Sequence, residues 1–295
     1  MNAKLTIFIN FAQTLEYGIM NLYIISFSPT GTSARVAKAL AQGLSETGCP
    51  DVVTLDCTRA PLPAVTLGRT DLAVVAAPVY GGKMAPLAKK RMESIKGDST
   101  PCVLLCLYGN RAFEQAPADM ADMARARGLV PVAAAAFIGE HSYSTPHTPI
   151  AAGRPDSDDL EQARRFGTLI AASLRQRGPV PVDAALMRDE PSLPQSIANF
   201  RSFVAEYQRS RQENPKPLVP ELDATLCNGC GRCASLCPAG AIDRDTLAVD
   251  PSKCIKCCAC VKGCVQGARS LHSPFAPVLS ANYSRRKDPT LLMPC

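Results

Sequence analysis

The cysteines of this 295-residue chain are concentrated in one short segment, and their spacing constrains the fold more than any other feature. Nine of the 14 cysteines lie within residues 227–264. A disulfide-stapled secreted protein would spread its cysteines along the chain, so this concentration indicates metal binding instead. The segment contains the spacing C-x₂-C-x₂-C-x₃-C twice, once in residues 227–237 and once in residues 254–264.

Each copy of this spacing is typical of a loop that wraps an iron–sulfur cluster. Three cysteines on a tight loop, each separated from the next by two residues, can bind three irons of one cubane through their thiolates. The fourth cysteine, carried away on the start of a helix, then reaches the other cluster. We therefore predict two 4Fe–4S clusters. The predicted ligands of one are Cys227, Cys230, Cys233 and Cys264, and those of the other are Cys254, Cys257, Cys260 and Cys237.

The alternative metal is zinc, because C-x₂-C pairs also bind Zn²⁺ tetrahedrally. Eight cysteines at this doubled spacing favour the clusters. Two residues depart from the repeat: Val265 stands where the first copy has Pro238, and Cys258 lies beside Cys257. We interpret Cys258 as a free thiol near a cluster. The module, residues 218–274, resembles the bacterial-type two-cluster ferredoxins, which implies a small α+β fold.

Residues 20–178 have a different pattern, in which short apolar runs alternate with segments of helical spacing. Continuous apolar strands separated by helices predict a parallel sheet that is covered on both faces. Five such runs predict a doubly wound, five-stranded α/β domain with the strand order 2-1-3-4-5. The runs are residues 22–27, 52–55, 72–77, 102–107 and 130–137.

The first apolar run ends in a hydroxyl-rich turn that leads directly into a helix. Its residues are Ser28, Pro29, Thr30, Gly31, Thr32 and Ser33. A helix N-terminus with hydroxyl donors is a site for a phosphate. The turn lacks both the glycines of a dinucleotide loop and the Gly-Lys-Ser/Thr of a P-loop, so a single phosphomonoester without a metal fits best. The alternative is that the hydroxyls only cap the helix.

Two further loops are expected beside this turn, because the ends of strands 1, 3 and 4 adjoin in the order 2-1-3-4-5. The third run leads into Pro78, Val79, Tyr80, Gly81 and Gly82, and the fourth into Tyr108, Gly109, Asn110 and Arg111. The glycines allow the backbone to approach a flat ring, and the two tyrosines could stack on it. With these loops, residues 20–178 resemble a flavodoxin domain. The resemblance implies that the turn holds the phosphate of FMN and that the two loops flank the isoalloxazine ring.

The loop after the fifth run leaves the same edge of the sheet. Its residues His141 and Tyr143 could therefore reach the flavin or the cysteine module, or they could belong to a polar surface loop. Residues 179–217 are rich in proline and are predicted to be a packed linker with one short helix at residues 196–211. Residues 275–295 are predicted to be a solvated C-terminal tail.

Residues 1–19 are an uncertain extension, either a weak signal-like segment or the product of a misassigned start, with Met20 as the true first residue. The longest later apolar stretch, residues 129–139, is too short to span a bilayer, and we predict a cytoplasmic protein. The net charge of +6 is modest and is not concentrated in one segment, and the aromatic content is only 5%, without tryptophan. Both features argue against nucleic-acid binding, which needs a dense basic face or aromatic side chains on which bases stack.

The complete arrangement is similar to the flavodoxin–ferredoxin fusion family of anaerobic bacteria and archaea. This resemblance implies an electron-transfer iron–sulfur flavoprotein that relays electrons between two 4Fe–4S clusters and FMN, with redox partner proteins as donor and acceptor. The chain would be an electron carrier or an oxidoreductase component without a catalytic residue of its own. One alternative is an FMN-dependent reductase of a small acceptor, with His141, Tyr143 and Arg111 lining its pocket. Another is a redox sensor that uses Cys258 or Cys295.

Overall fold

The computed structural model describes residues 18–46 and 51–294. Most of the predicted N-terminal extension, up to residue 17, lies outside these residues, as do Cys49 and Cys295. The strands are β1 (Asn21–Ser26), β2 (Asp51–Asp56), β3 (Val65–Leu67), β4 (Leu72–Tyr80), β5 (Lys83–Met84), β6 (Ile95–Gly97), β7 (Thr100–Tyr108), β8 (Leu129–Ile138), β9 (Glu221–Leu222), β10 (Arg269–Ser270) and β11 (Thr290–Leu292). The helices are α1 (Thr32–Ser45), α2 (Pro86–Arg91), α3 (Ala116–Ala126), α4 (Ser157–Arg177), α5 (Pro194–Glu213), α6 (Arg232–Leu236), α7 (Ala259–Lys262) and α8 (Phe275–Asn282), with a 3-10 turn at Ala184–Leu186.

Five parallel strands form the main sheet in the spatial order β2-β1-β4-β7-β8. This confirms the predicted order 2-1-3-4-5, which is that of the flavodoxin-like folds. The central strands are apolar throughout because both faces are covered. In β4, for example, Ala73, Val75 and Ala77 pack on the side of α2 and α3, whereas Leu72, Val74 and Ala76 pack on the side of α1 and α4.

Two glycines allow α1 and α4 to pack closely against the second face. A Cβ on Gly43 would collide with the carbonyl oxygen of Arg164, and a Cβ on Gly167 would collide with that of Leu40. The close packing of α1 holds its N-terminus at the end of β1, which positions the hydroxyl-rich turn at the carboxyl edge of the sheet. None of the helices within the described ranges is long and apolar enough to cross a membrane.

The C-terminal residues differ from the prediction of a solvated tail. Residues 275–282 form α8, and β11 pairs antiparallel with β8, with Leu291 opposite Ala135. The prediction was wrong because a three-residue strand has no periodicity of its own. It forms where the edge of β8 offers unpaired backbone groups.

The linker is also more structured than predicted, since α5 has 20 residues and is preceded by the 3-10 turn. The carboxylate of Asp189 accepts the N–H groups of Phe113 at 2.8 Å and Glu114 at 2.9 Å, which attaches the linker to the loop after β7. The cysteine module follows as a small α+β unit. Its two halves pair through β9 with β10 and through a bridge between Ile242 and Val249.

Candidate functional site

Four cysteines from both halves of the repeat line one small cavity of the cysteine module. They are Cys227, Cys230, Cys233 and Cys264. The loop that carries the first three turns at Gly229 and Gly231, which have φ angles of 71° and 66°, a left-handed conformation that glycine adopts without strain. The structure therefore places one cysteine of the second half beside three cysteines of the first.

A second cavity of the module has the reciprocal set of cysteines. It is lined by Cys237, Cys254, Cys257, Cys258 and Cys260. Its remaining wall is mainly apolar and includes Ile242, Val249 and Ile255, which would keep water away from a bound group. Cys258 belongs to this wall and is 1% exposed, with its Sγ 3.7 Å from the carbonyl oxygen of Lys256.

Several N–H groups point at the sulfur atoms of these cysteines. The N–H of Ala241 donates to Sγ of Cys237 at 3.2 Å, and that of Gly229 donates to Sγ of Cys227 at 3.4 Å. Such bonds stabilise the negative charge of thiolate-bound iron–sulfur clusters, so these donors fit that group. A zinc site would instead need its thiolates at about 2.3 Å from a single point. Across residues 18–46 and 51–294, no group of three or more His, Cys, Asp or Glu side chains is arranged to hold one metal ion.

Arg269 lies between the two sets of cysteines and is 4% exposed. Its Nη2 donates to the carbonyl oxygen of Leu247 and to Sγ of Cys233 at 3.6 Å. Burial raises the pKa of Cys260 to about 11, and the charge of Arg269 opposes this rise. Among the described residues, Nε of Arg269 is buried without a hydrogen-bond partner. A buried cation thus contacts one set and acts electrostatically on the other.

A larger cavity of about 360 Å³ lies at the carboxyl ends of β1, β4 and β7. This is the edge at which doubly wound sheets bind their ligands. Most of the residues predicted to hold FMN line it. They are Thr30, Thr32, Ser33, Pro78, Val79, Tyr80, Gly81, Gly82, Tyr108, Gly109 and Arg111.

Three other predicted residues shape the loops without lining this cavity. Gly31 precedes α1 with a φ of 85°, and Oγ of Ser28 accepts the N–H of Ala34 at 3.1 Å. The side chain of Asn110 points elsewhere, because its Nδ2 donates to the carbonyl oxygens of Tyr283 at 2.6 Å and Arg285 at 2.8 Å. Asn110 therefore attaches the C-terminal residues to the loop.

The start of α1 fits a phosphate group. Gly31, the residue before the helix, provides no side-chain cap, and Ser28 makes the local hydrogen bond to the helix instead. Within the described part of the chain, the hydroxyl of Ser33 is buried and has no hydrogen-bond partner. Buried hydroxyls normally have one, so an unpaired donor at a helix N-terminus indicates a missing acceptor. The alternative in which all of these hydroxyls only cap the helix leaves Ser33 unexplained.

The two tyrosines of the flanking loops differ in their surroundings. Tyr108 is 3% exposed and meets Phe113 edge-on at a ring distance of 5.5 Å, so it packs in the core under the cavity. Tyr80 is half-buried on the side of the cysteine module. Burial raises the pKa of Tyr80 well above its usual value, and nearby Cys257 and Cys258 add to this rise.

His141 belongs to the cavity rather than to a surface loop. Its ring lies against Gly109, where a Cβ would collide with it. Its Nδ1 accepts the N–H of Tyr143 at 3.0 Å, which places the proton of the neutral ring on Nε2. Burial lowers the pKa of His141 to about 4, and the positive charges of Arg111 and Lys262 add to this effect. His141 is therefore a neutral hydrogen-bond donor in the wall of the cavity.

The sequence analysis missed the residues that other parts of the chain contribute to this wall. Ile255 and Lys256 come from the cysteine module, Phe200 from α5, and Phe275 and Leu279 from α8. No local pattern marks them, because their position depends on how these parts dock against the sheet.

Two basic side chains, Lys262 and Arg91, attach the cysteine module to the flavodoxin-like domain. Nζ of Lys262 donates to Oε1 of Glu140 at 2.6 Å and to the carbonyl oxygen of Ser144 at 2.8 Å. The guanidinium of Arg91 donates to the carbonyl oxygen of Pro238. The module therefore docks on both the loop after β8 and the end of α2.

Comparisons with known proteins found one matching family model and a set of similar solved structures. Residues 220–243 match a family model described as a 4Fe-4S binding domain. A flavodoxin from the domain Archaea is similar to 52% of this chain over 99% of its own length, with 18% identity and a TM-score of 0.39. The flavodoxin of Streptococcus pneumoniae TIGR4 matches 53% of this chain over 99% of its own, with 17% identity and a TM-score of 0.34.

An azoreductase from Bacillus anthracis str. Sterne matches 51% of this chain over 100% of its own, with 14% identity and a TM-score of 0.36. No curated protein matches the chain. The strand order identifies the first domain as flavodoxin-like, and the family match identifies a 4Fe–4S binding domain after it. The chain thus combines a flavodoxin-like fold with a 4Fe–4S binding domain.

Proposed function

We propose that this protein is an electron-transfer iron–sulfur flavoprotein that relays electrons between two 4Fe–4S clusters and FMN. One observation carries the proposal: Ile255 lines both the cavity at the sheet edge and the cavity of Cys237, Cys254, Cys257 and Cys260. A cluster and a flavin in these two cavities would be separated by one layer of side chains. Such a short separation is what direct electron transfer requires.

The residues around the cavity at the sheet edge have distinct tasks in this proposal. Thr30, Thr32 and Ser33 bind the phosphate at the start of α1. Tyr80 and Ile255 exclude water on the side of the cysteine module. When bound, FMN supplies a carrier of one or two electrons, whereas each cluster carries one.

The cysteine sets lie at different depths, which suggests an order of transfer. Cys230 is exposed, whereas Cys257 and Cys260 are buried. Next to the first set, the apolar side chain of Val265 is 75% exposed. A redox partner protein would therefore exchange electrons at the cluster of Cys227, Cys230, Cys233 and Cys264. The second cluster would then connect this one to the flavin.

The redox-sensor alternative has no support at Cys258, because a sensor thiol must be accessible to its oxidant and Cys258 is buried. Its other candidate thiol, Cys295, lies outside the described residues. The reductase alternative depends on a site for an acceptor beside the flavin. A cytoplasmic location is part of the proposal, since none of the described cysteines is in a disulfide, as is usual in a reducing compartment.

The experiment that tests the proposal is cofactor analysis of an anaerobic preparation. We expect one FMN per chain together with about eight iron and eight sulfide ions, as two 4Fe–4S clusters require. Reduction followed by absorbance should show electrons exchanging between the iron–sulfur and flavin bands. Stoichiometric zinc without acid-labile sulfide after anaerobic reconstitution would contradict the clusters. Clusters in a protein that does not bind FMN would contradict the relay.

A further inference from the structure

A second cavity, of about 570 Å³, adjoins the proposed flavin cavity on the side of α5 and the linker. Its size is within the range of small-molecule sites, roughly 300–1,000 Å³. The two cavities share Arg111, Ala112 and Phe200 in their walls. The guanidinium of Arg111 lies 5.0 Å from the centre of the Phe200 ring, so this cation–π pair separates the cavities. No residue of the proposed relay needs this second space.

One face of α5 forms a long wall of the second cavity. The residues of this face follow helical spacing and are Ile197, Phe200, Arg201, Val204, Ala205 and Gln208. Four of them are apolar, yet the only fully buried residue of α5 is Ser196. Phe200 also packs against the buried ring of Tyr283 at a ring distance of 5.8 Å. The apolar face therefore continues from the core into the open cavity, which is typical of a ligand-binding wall.

Four of the five charged side chains that line this cavity have a hydrogen-bonded or ion-paired partner, and Arg201 is the fifth. Glu114 pairs with Arg111 at 2.6 Å, and Glu190 pairs with Arg285. The carboxylate of Asp189 is occupied by the two backbone N–H groups described above. In the part of the chain that the structure describes, the exposed guanidinium of Arg201 has no hydrogen bond or ion pair. An anionic group bound at Arg201 would thus meet an unpaired donor, with apolar side chains beside it.

We propose that this second cavity binds a small organic anion with a planar apolar body. Its carboxylate would pair with Arg201, for which the planar fork of the guanidinium is suited. Its body would lie along Ile197, Phe200 and Val204. The site is next to the proposed flavin cavity, where an acceptor of electrons would have to bind. Binding of the anion itself does not depend on the relay.

The test is isothermal titration calorimetry of the full-length holoprotein with trans-cinnamate, and with the neutral trans-cinnamamide as a matched probe. We expect saturable binding of cinnamate and weaker binding of the amide. Arg201→Gln should weaken cinnamate binding by roughly tenfold, because a charge-assisted hydrogen-bond pair is lost. Arg209→Gln is the control, since Arg209 is an exposed arginine of the same helix that does not line the cavity. It should bind cinnamate as the wild type does.

A second variant, Val204→Asp, places a carboxylate in the apolar wall and should also weaken cinnamate binding. The FMN and iron contents of each variant are measured in parallel. Normal cofactor contents with no saturable cinnamate binding to wild type would overturn the site and leave the relay intact. Equal affinity of wild type and Arg201→Gln, or of cinnamate and its amide, would also overturn it. Cinnamate binding to a protein that lacks FMN would support the site and contradict the relay.

Discussion

Thr30 separates ligand binding from helix stability within a single loop. It lines the cavity at the sheet edge, whereas Ser28 makes the local hydrogen bond to α1. We predict that Thr30→Ala weakens FMN binding by about 10- to 100-fold, since a hydrogen bond to a charged group contributes roughly 1.5–3 kcal/mol. Titration of the flavin-free protein with FMN measures this effect.

Riboflavin and the variant Ser28→Ala serve as controls for the Thr30 variants. Riboflavin has no phosphate and should respond much less to Thr30→Ala. Thr30→Asp should abolish FMN binding through charge repulsion, although an anion at a helix N-terminus does not destabilise the fold. Ser28→Ala removes a helix cap and should cost about 1 kcal/mol of stability instead. Equal FMN affinity of wild type and Thr30→Asp would show that the phosphate binds elsewhere.

His141 makes the stability of the flavin-free protein depend on pH. Its pKa is about 4 in the folded protein, below about 6.5 in an unfolded chain. As the pH falls below 6.5, the imidazole of His141 is protonated in the unfolded chain before it is protonated in the folded protein. The folded protein therefore keeps its full stability above pH 6.5, and part of the free energy of unfolding is lost toward pH 4. The expected loss between pH 7 and pH 5 is about 2 kcal/mol.

This prediction is checked by urea unfolding of variants across that pH range. His141→Gln should remove about this part of the pH dependence. His272→Gln is the matched control, because His272 is exposed, and it should behave as the wild type does. Identical pH dependence in wild type and His141→Gln would mean that His141 is not buried in its neutral form.

Arg269 is expected to raise the reduction potentials of the clusters. A buried positive charge stabilises the reduced cluster, which carries one more negative charge, and Arg269 donates to Sγ of Cys233. Arg269→Gln should therefore lower the potential of the cluster bound by Cys233, as measured by redox titration with EPR detection. Arg269→Lys keeps the charge and should lower it less. An unchanged potential in Arg269→Gln would contradict this role.

At the level of elements, each of the two cysteine loops is predicted to provide the fourth ligand of the other loop's cluster. The structure brings Cys264 to the first loop and Cys237 to the second. Cys237→Ala should therefore damage the cluster of Cys254, Cys257 and Cys260 and spare the cluster of the first loop. Cys264→Ala should have the opposite effect. Mössbauer and EPR spectra of the two variants distinguish the clusters.

Cys258 provides the control for this exchange, because it lines the same cavity as the second set. Cys258→Ala should keep both clusters if the doubled spacing identifies the ligands correctly. If Cys258→Ala loses a cluster while Cys257→Ala keeps both, the register of the second loop has to be shifted by one residue.

Elements whose position depends on distant partners were the ones that the sequence patterns did not predict. The five parallel strands are long apolar runs, so their existence and order could be predicted. In contrast, β11 forms only against the edge of β8. The role of α5 as a cavity wall depends on Arg111, which lies 83 positions before its first residue. The local sequence around β11 or α5 does not indicate which distant residues these elements contact.

For the whole molecule, the geometry predicts that the flavin exchanges electrons first with the cluster of Cys237, Cys254, Cys257 and Cys260. Ile255 connects only this cavity to the proposed flavin cavity. After flash reduction of the flavin, its reoxidation by the clusters should remain fast in Cys264→Ala and be lost in Cys237→Ala. Absorbance at the flavin band follows the reaction. The reverse pattern would contradict the order of cofactors.

The sequence by itself determined the parts of this protein that depend on short-range patterns. Cysteine spacing, apolar runs and the hydroxyl-rich turn are all local. The apolar runs were sufficient to predict the parallel sheet and its order, and the cysteine spacing was sufficient to predict a 4Fe–4S binding domain. Only the tertiary structure decided that the second cysteine loop lies against the sheet edge. That docking depends on pairs such as Lys262 with Glu140 and Arg91 with Pro238. These pairs join residues more than 100 positions apart, so no local spacing or periodicity in the chain encodes their contact.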